Sequence, residues 1–128
     1  MKFLLDTHLV LWVPVSGPRL SRPARAILND PENSFLFSAV SLWEIAIKRS
    51  IGKLDQGIDP GTIRRELIDM GYEELPILGQ HAVAVEGLPW IHKDPFDRLL
   101  IAQALVEGIT LLTVDSTIAR YPGPIRKV

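Results

Sequence analysis

The chain of 128 residues contains no cysteine, which removes disulfides, thiolate zinc sites and cysteine nucleophiles together. It has no long uninterrupted apolar run. The most apolar opening segment, "MKFLLDTHLVLWV", is broken by Asp6 and His8 and lacks a small-residue cleavage site, so it reads as neither a signal peptide nor a membrane span. The formal net charge is −1, so no general excess of positive charge advertises a protein that simply coats nucleic acid. No G-x-G or G-K-[ST] occurs, which leaves out dinucleotide and P-loop phosphate sites. The G-x-S-x-G elbow of serine hydrolases is absent as well. Repeats, low-complexity tracts and linker-like shifts in composition are also missing.

What is present is the composition of a globular protein, 47% hydrophobic and 23% charged, expected to form a single domain over residues 1–128. The reading is a cytoplasmic protein with no membrane association. Strand and helix signals alternate. "FLL" (3–5) is a short buried-type strand, and "THLVLW" continues as a helix that Pro14 and Gly17 should stop. Ser21 caps a helix through "SRPARAILN", and "FLFSA" is a second strand leading into a helix over "SLWEIAIKRSIG". "DPGTIRRELIDMG" opens with Asp59 and Pro60 and closes at Gly71. "ELPI" is a short third strand and "GQHAVAVEG" a short helix. "HKDPFDRLLIAQALVEG" is a helix capped by Asp94 and ended by Gly108, and "ITLLTV" is the clearest strand. Short strands separated by helices predict an α/β fold of three layers, α/β/α, around a mostly parallel sheet.

Ligands of such sheets bind at the carboxyl ends of the strands. Asp6 and Asp115 follow apolar strands that end at that edge, while Glu44 and Asp97 come from the first turns of helices that start there. Each acid has an ordinary explanation. Asp6 and Asp115 suit turns at strand ends, Glu44 suits a capping box from Ser41 or a pair with Lys48, and Asp97 suits the helix dipole beside the Asp94 cap. Those explanations do not account for both good strands ending in aspartate while two following helices open with an acid. Carboxylates crowded into one hollow repel, so they take up protons or are neutralised by hard cations. Oxygen donors without cysteine favour Mg2+ or Mn2+ over zinc. Such ions suit phosphodiester hydrolysis, because they bind a phosphate oxygen, acidify water and stabilise the leaving oxygen. His8, His81 and His92 are too scattered in sequence to suggest a ligand pair.

Three segments carry a resemblance: "LLDTHLVLW", "SAVSLWEIAIKRSIGKL" and "HKDPFDRLLIAQALVEGITLLTVD". Together, at their spacing, they resemble a PIN-domain ribonuclease of the VapC-like toxin group. The resemblance implies that Asp6, Glu44, Asp97 and Asp115 form a catalytic, metal-binding quartet with Mg2+ or Mn2+ as cofactor. It also suggests Thr7 and Thr113 as hydroxyls supporting the site. It further implies an RNA substrate, a small antitoxin partner whose tail packs near the site, and a homodimer. Pro14 departs from relatives in cutting the first helix short. Lys48, Arg49, Lys53, Lys93 and Arg98 flank the acids as solvated charges or phosphate contacts, Arg98 being the first choice because it neighbours Asp97. Trp12, Trp43 and Trp90 are read as core aromatics or as parts of partner surfaces. Two other readings compete with the nuclease: a non-catalytic RNA- or protein-binding domain of this fold, and aspartyl-phosphate transfer. Against the second, Asp6 lacks an acid two residues on and no lysine ends a strand where that chemistry expects one.

Overall fold

The computed structural model describes residues 1–15 and 17–128; Ser16 lies outside the described residues. Five strands form one sheet: β1 (Lys2–Leu5), β2 (Ser34–Ser38), β3 (Glu73–Leu75), β4 (Thr110–Thr113) and β5 (Ile125–Lys127). Their order is β3-β2-β1-β4-β5, and every pairing is parallel. Six helices complete the main elements: α1 (Thr7–Trp12), α2 (Arg22–Asn29), α3 (Ala39–Ser50), α4 (Pro60–Asp69), α5 (Gly79–Ala84) and α6 (Pro95–Glu107).

Side chains alternate along each strand between two cores, one on each face of the sheet. Phe3, Leu5, Phe35, Phe37 and Leu112 face one side with Val10 of α1, Ala24 of α2 and Leu67 of α4. Leu4, Leu36 and Leu111 face the other with Leu100, Ile101 and Ala104 of α6. Because both faces are covered, the strands read as nearly continuous apolar runs, as buried parallel strands do.

Helix boundaries follow the capping chemistry. The Asp59 and Asp94 side chains accept the backbone N–H of Thr62 and of Phe96 and Asp97 respectively, each followed by proline at the first helical position. Gly108 ends α6 with φ 67°, left-handed backbone that costs a β-carbon-bearing residue energy. One local expectation is corrected. The cap of α3 is Ser38, whose hydroxyl accepts the Val40 N–H, so helix follows strand directly and Ser41 lies buried one turn in. β5 is an edge strand over Ile125–Lys127 in a segment that Pro122, Gly123 and Pro124 would mark as loop.

Candidate functional site

The strand order reverses at β1, between its neighbours β2 and β4, which is where an open parallel sheet leaves a crevice at its carboxyl edge. A cavity of about 500 Å³ opens there, lined by Glu44, His92, Asp94, Asp97 and Asp115 together with Thr7. Lys48, Lys53 and Arg19 also line it. Three of the four sequence-selected acids therefore share one hollow, delivered by α3, α6 and the end of β4.

Asp6 sits differently. It is 1% exposed and absent from the cavity lining, and both its oxygens are engaged. Oδ1 accepts the Leu9 N–H and caps α1, while Oδ2 accepts the Thr113 hydroxyl at 2.6 Å and the Val114 N–H at 3.0 Å. The Thr113 oxygen in turn accepts the Asp115 N–H at 3.0 Å. Asp6 thus locks β1, α1 and the end of β4 together. Burial nevertheless holds its pKa above the ordinary aspartate value, the hydrogen bonds only partly offsetting that cost.

The other acids keep some of their ordinary roles. Asp115 Oδ1 accepts the N–H groups of Thr117 and Ile118 and so opens the following turn. Glu44 Oε1 accepts the Thr7 hydroxyl at 2.9 Å, and Oε2 pairs with Lys48 Nζ. With its proton committed to Glu44, Thr7 accepts from the Ser41 hydroxyl at 2.9 Å. The pair keeps Lys48 charged, its pKa raised chiefly by the Glu44 hydrogen bond. Asp97 has the least support. Its pKa is pushed up to about 6, first by burial and then by the negative charges of Asp94 and Glu44, against a lowering contribution from His92.

His92 and Asp94 are the residues that sequence reasoning left aside. His92 Nε2 lies 2.8 Å from Asp97 Oδ2, and His92, Asp94 and Asp97 form a group whose donor atoms lie within 4.8 Å of one another, a spacing able to hold a metal ion. Asp94 does cap α6 but belongs to this group too. The available signal was the five-residue spacing of His92 and Asp97 across a capped, proline-led helix start, which folds the preceding loop back over the first turn.

Arg98 is a correction. Instead of facing the cavity as a phosphate contact, it is 3% exposed. Its guanidinium donates to the carbonyls of Pro89, Val85 and Leu88 and to the Tyr121 hydroxyl. One residue along a helix turns the side chain by about 100°, so the neighbour of an acid facing the cavity is carried away from it. Lys48, the other phosphate contact expected, lines the cavity with Lys53.

A family model described as PIN domain matches residues 3–124. The chain belongs to the PIN-domain family. This PIN domain is 50% identical over 46 residues to Ribonuclease VapC16 of Mycobacterium tuberculosis, a match covering 33% of this chain and only a third of that relative's length. Among solved structures it is similar in fold to a chain in the structure of VapBC2 from Rickettsia felis bound to a DNA fragment from their promoter. That likeness has TM-score 0.68 and 16% identity, over 99% of this chain and 98% of the other. It is also similar to a chain of a toxin-antitoxin complex from Klebsiella pneumoniae, with TM-score 0.62 and 18% identity over 97% and 95% of the two chains. No described helix of this PIN domain is long and apolar enough to cross a membrane.

Proposed function

We propose that this PIN domain is a divalent-metal-dependent endoribonuclease, hydrolysing RNA phosphodiester bonds as the toxin of a toxin–antitoxin pair. The observation that carries the reading is Asp97. A carboxyl group raised to about 6, first by burial and then by Asp94 and Glu44, stands in a cavity that three further acids, Glu44, Asp94 and Asp115, also line. The donors are carboxylate oxygens and one imidazole, with no thiolate, which fits Mg2+ or Mn2+. Asp97, Asp94 and His92, whose donor atoms lie within 4.8 Å of one another, together with Asp115 and Glu44 of the same cavity lining, are the residues we assign to hold such an ion. Bound there, the ion supplies Lewis-acid stabilisation of a phosphate oxygen and acidifies water.

The chain's own groups do the positioning. Thr7 fixes Glu44, and Thr113 fixes Asp6 and through its oxygen the backbone of Asp115. Lys48, Lys53 and Arg19 line the same cavity and offer charge to the RNA backbone, whose phosphates dominate affinity. Both oxygens of Asp6 are engaged, which argues against an aspartyl-phosphate role for that side chain. An apolar groove of about 420 Å³, lined by Leu11, Trp12, Leu54, Ile58 and Ile63 among others, adjoins the acidic cavity and is the surface we assign to an antitoxin tail. The half-exposed Trp43 on α3 and Leu105 and Val106 on α6 are apolar surface suited to the implied homodimer.

The test is cleavage of a labelled RNA by the purified chain. Cleavage is expected with Mg2+ or Mn2+, is lost in excess chelator, and falls by roughly a hundredfold or more in Asp97→Asn. Asp6→Asn is expected to lose it too, with circular dichroism checking that the chain still folds. Undiminished cleavage in chelator, or by both variants, overturns the reading.

A further inference from the structure

Trp90 is 81% exposed, an uncommon state for an indole. It is also firmly supported. Its ring lies over the Arg98 guanidinium, 4.2 Å from the guanidinium carbon to the ring centroid. That guanidinium is immobilised by the Pro89, Val85 and Leu88 carbonyls and the Tyr121 hydroxyl. The backbone on either side of Trp90 is pinned as well: Ile91 N–H donates to the Pro89 carbonyl, and His92 N–H donates to Tyr121 Oη at 2.8 Å. One side of the indole is therefore covered by a fixed cation while most of the remainder stands in water.

From this we infer that Trp90 is a stacking platform for a base of single-stranded RNA that flanks the acidic cavity. The inference rests on the nuclease reading above and names how the same site grips its substrate. Three features favour a nucleobase as the occupant. Trp90 is two residues from His92, which contacts Asp97, so their Cα atoms lie within about 7 Å, and the ring, stacked on Arg98 outside the cavity lining, can hold a base of a flanking nucleotide. Exposed Lys93 follows in the same loop, and Lys53 and Lys48 line the cavity, so a backbone leading from the platform to the acids meets positive charge. Finally, the guanidinium fixes the ring before RNA arrives, so little ordering cost is left at binding. Stacking is tolerant of base identity, because every base has a π-face.

The test uses the full chain carrying Asp97→Asn, to stop turnover, alone or with Trp90→Ala or Trp90→Phe. Fluorescence anisotropy follows binding of a labelled single-stranded oligoribonucleotide of mixed sequence, and of the same oligonucleotide made abasic. Trp90→Ala is expected to weaken binding of the base-bearing probe roughly 5- to 150-fold, the range set by one stacked base. Trp90→Phe should stay within about threefold of its parent, and the abasic probe should bind all three chains alike. Equal binding of the base-bearing probe by parent and Trp90→Ala overturns the platform, and so does an equal loss with the abasic probe. Sedimentation showing a dimeric parent and a monomeric Trp90→Ala chain also overturns it, assigning Trp90 to contact with a second copy. If the parent binds no RNA, the nuclease reading falls along with the platform; if it binds and Trp90 has no effect, only the platform falls.

Discussion

Asp97 and Arg98 are adjacent in the first turn of α6 and meet opposite fates. Arg98 is buried with its charge fully engaged by three carbonyls and a hydroxyl, and it ties residues 85–92 and Tyr121 to the helix. Asp97 faces a hollow among other acids, with His92 as its one side-chain hydrogen-bond partner among the described residues, and its pKa is raised. The difference separates architecture from chemistry. A buried charge whose hydrogen bonds are all made holds a structure in place, whereas one placed among like charges is under electrostatic strain that a proton or a cation relieves.

Substitutions sharpen the contrast, and the largest effect on stability is expected on the satisfied side. Arg98→Met strands several buried carbonyl groups and the Tyr121 hydroxyl, and should cost about 3 kcal/mol of folding stability, read as a lowered denaturant midpoint with an unchanged slope. Little or no loss would mean that the buried cation is not what fastens the loop. Thr113→Val removes a hydroxyl that donates to Asp6 and accepts from Asp115, and should cost about 2 kcal/mol.

On the strained side the effect is smaller and depends on pH. An acid whose pKa is higher in the folded chain binds its proton more tightly there, so its contribution is fully present below about pH 4 and fades as pH rises through about 6. In chelator, acidifying from pH 7 to pH 5 should therefore favour the parent over Asp97→Asn by about 1 kcal/mol, measured by denaturation at both pH values. Parallel pH profiles for the two chains would remove the strain from Asp97. The smallest effect is expected at Lys48, whose side chain is 41% exposed: Lys48→Met should change stability by less than about 1 kcal/mol. In RNA binding the same substitution should lower the salt dependence by about one phosphate contact.

Much of the fold was readable in order along the chain. The apolar runs at 3–5 and 35–37, the Asp-Pro openings of α4 and α6, and the glycine stop at Gly108 signal their elements through local backbone chemistry. The edge strand β5 was not legible, because three residues bearing no helix or strand preference between Thr113 and its pairing partner Lys127 hide a pairing that only β4 makes possible. The site was legible in part. Glu44, Asp97 and Asp115 line one cavity, while Asp6 is buried with both oxygens hydrogen-bonded. His92 was passed over because its partner lies across a fold in the loop, not at a helical spacing.

By itself the sequence determined the order of β1 to β4 and of the six helices, the caps of α2, α4 and α6, and the two-faced burial of the sheet. These follow from short-range forces: apolar periodicity, proline and glycine geometry, and side chains that satisfy nearby amides. Tertiary structure alone decided which charges face the cavity and which are neutralised, sending Asp97 toward other acids and Arg98 toward carbonyls one residue away. That choice depends on long-range electrostatics and on which distant backbone groups the helix turns each side chain to meet, and neighbouring letters do not encode it.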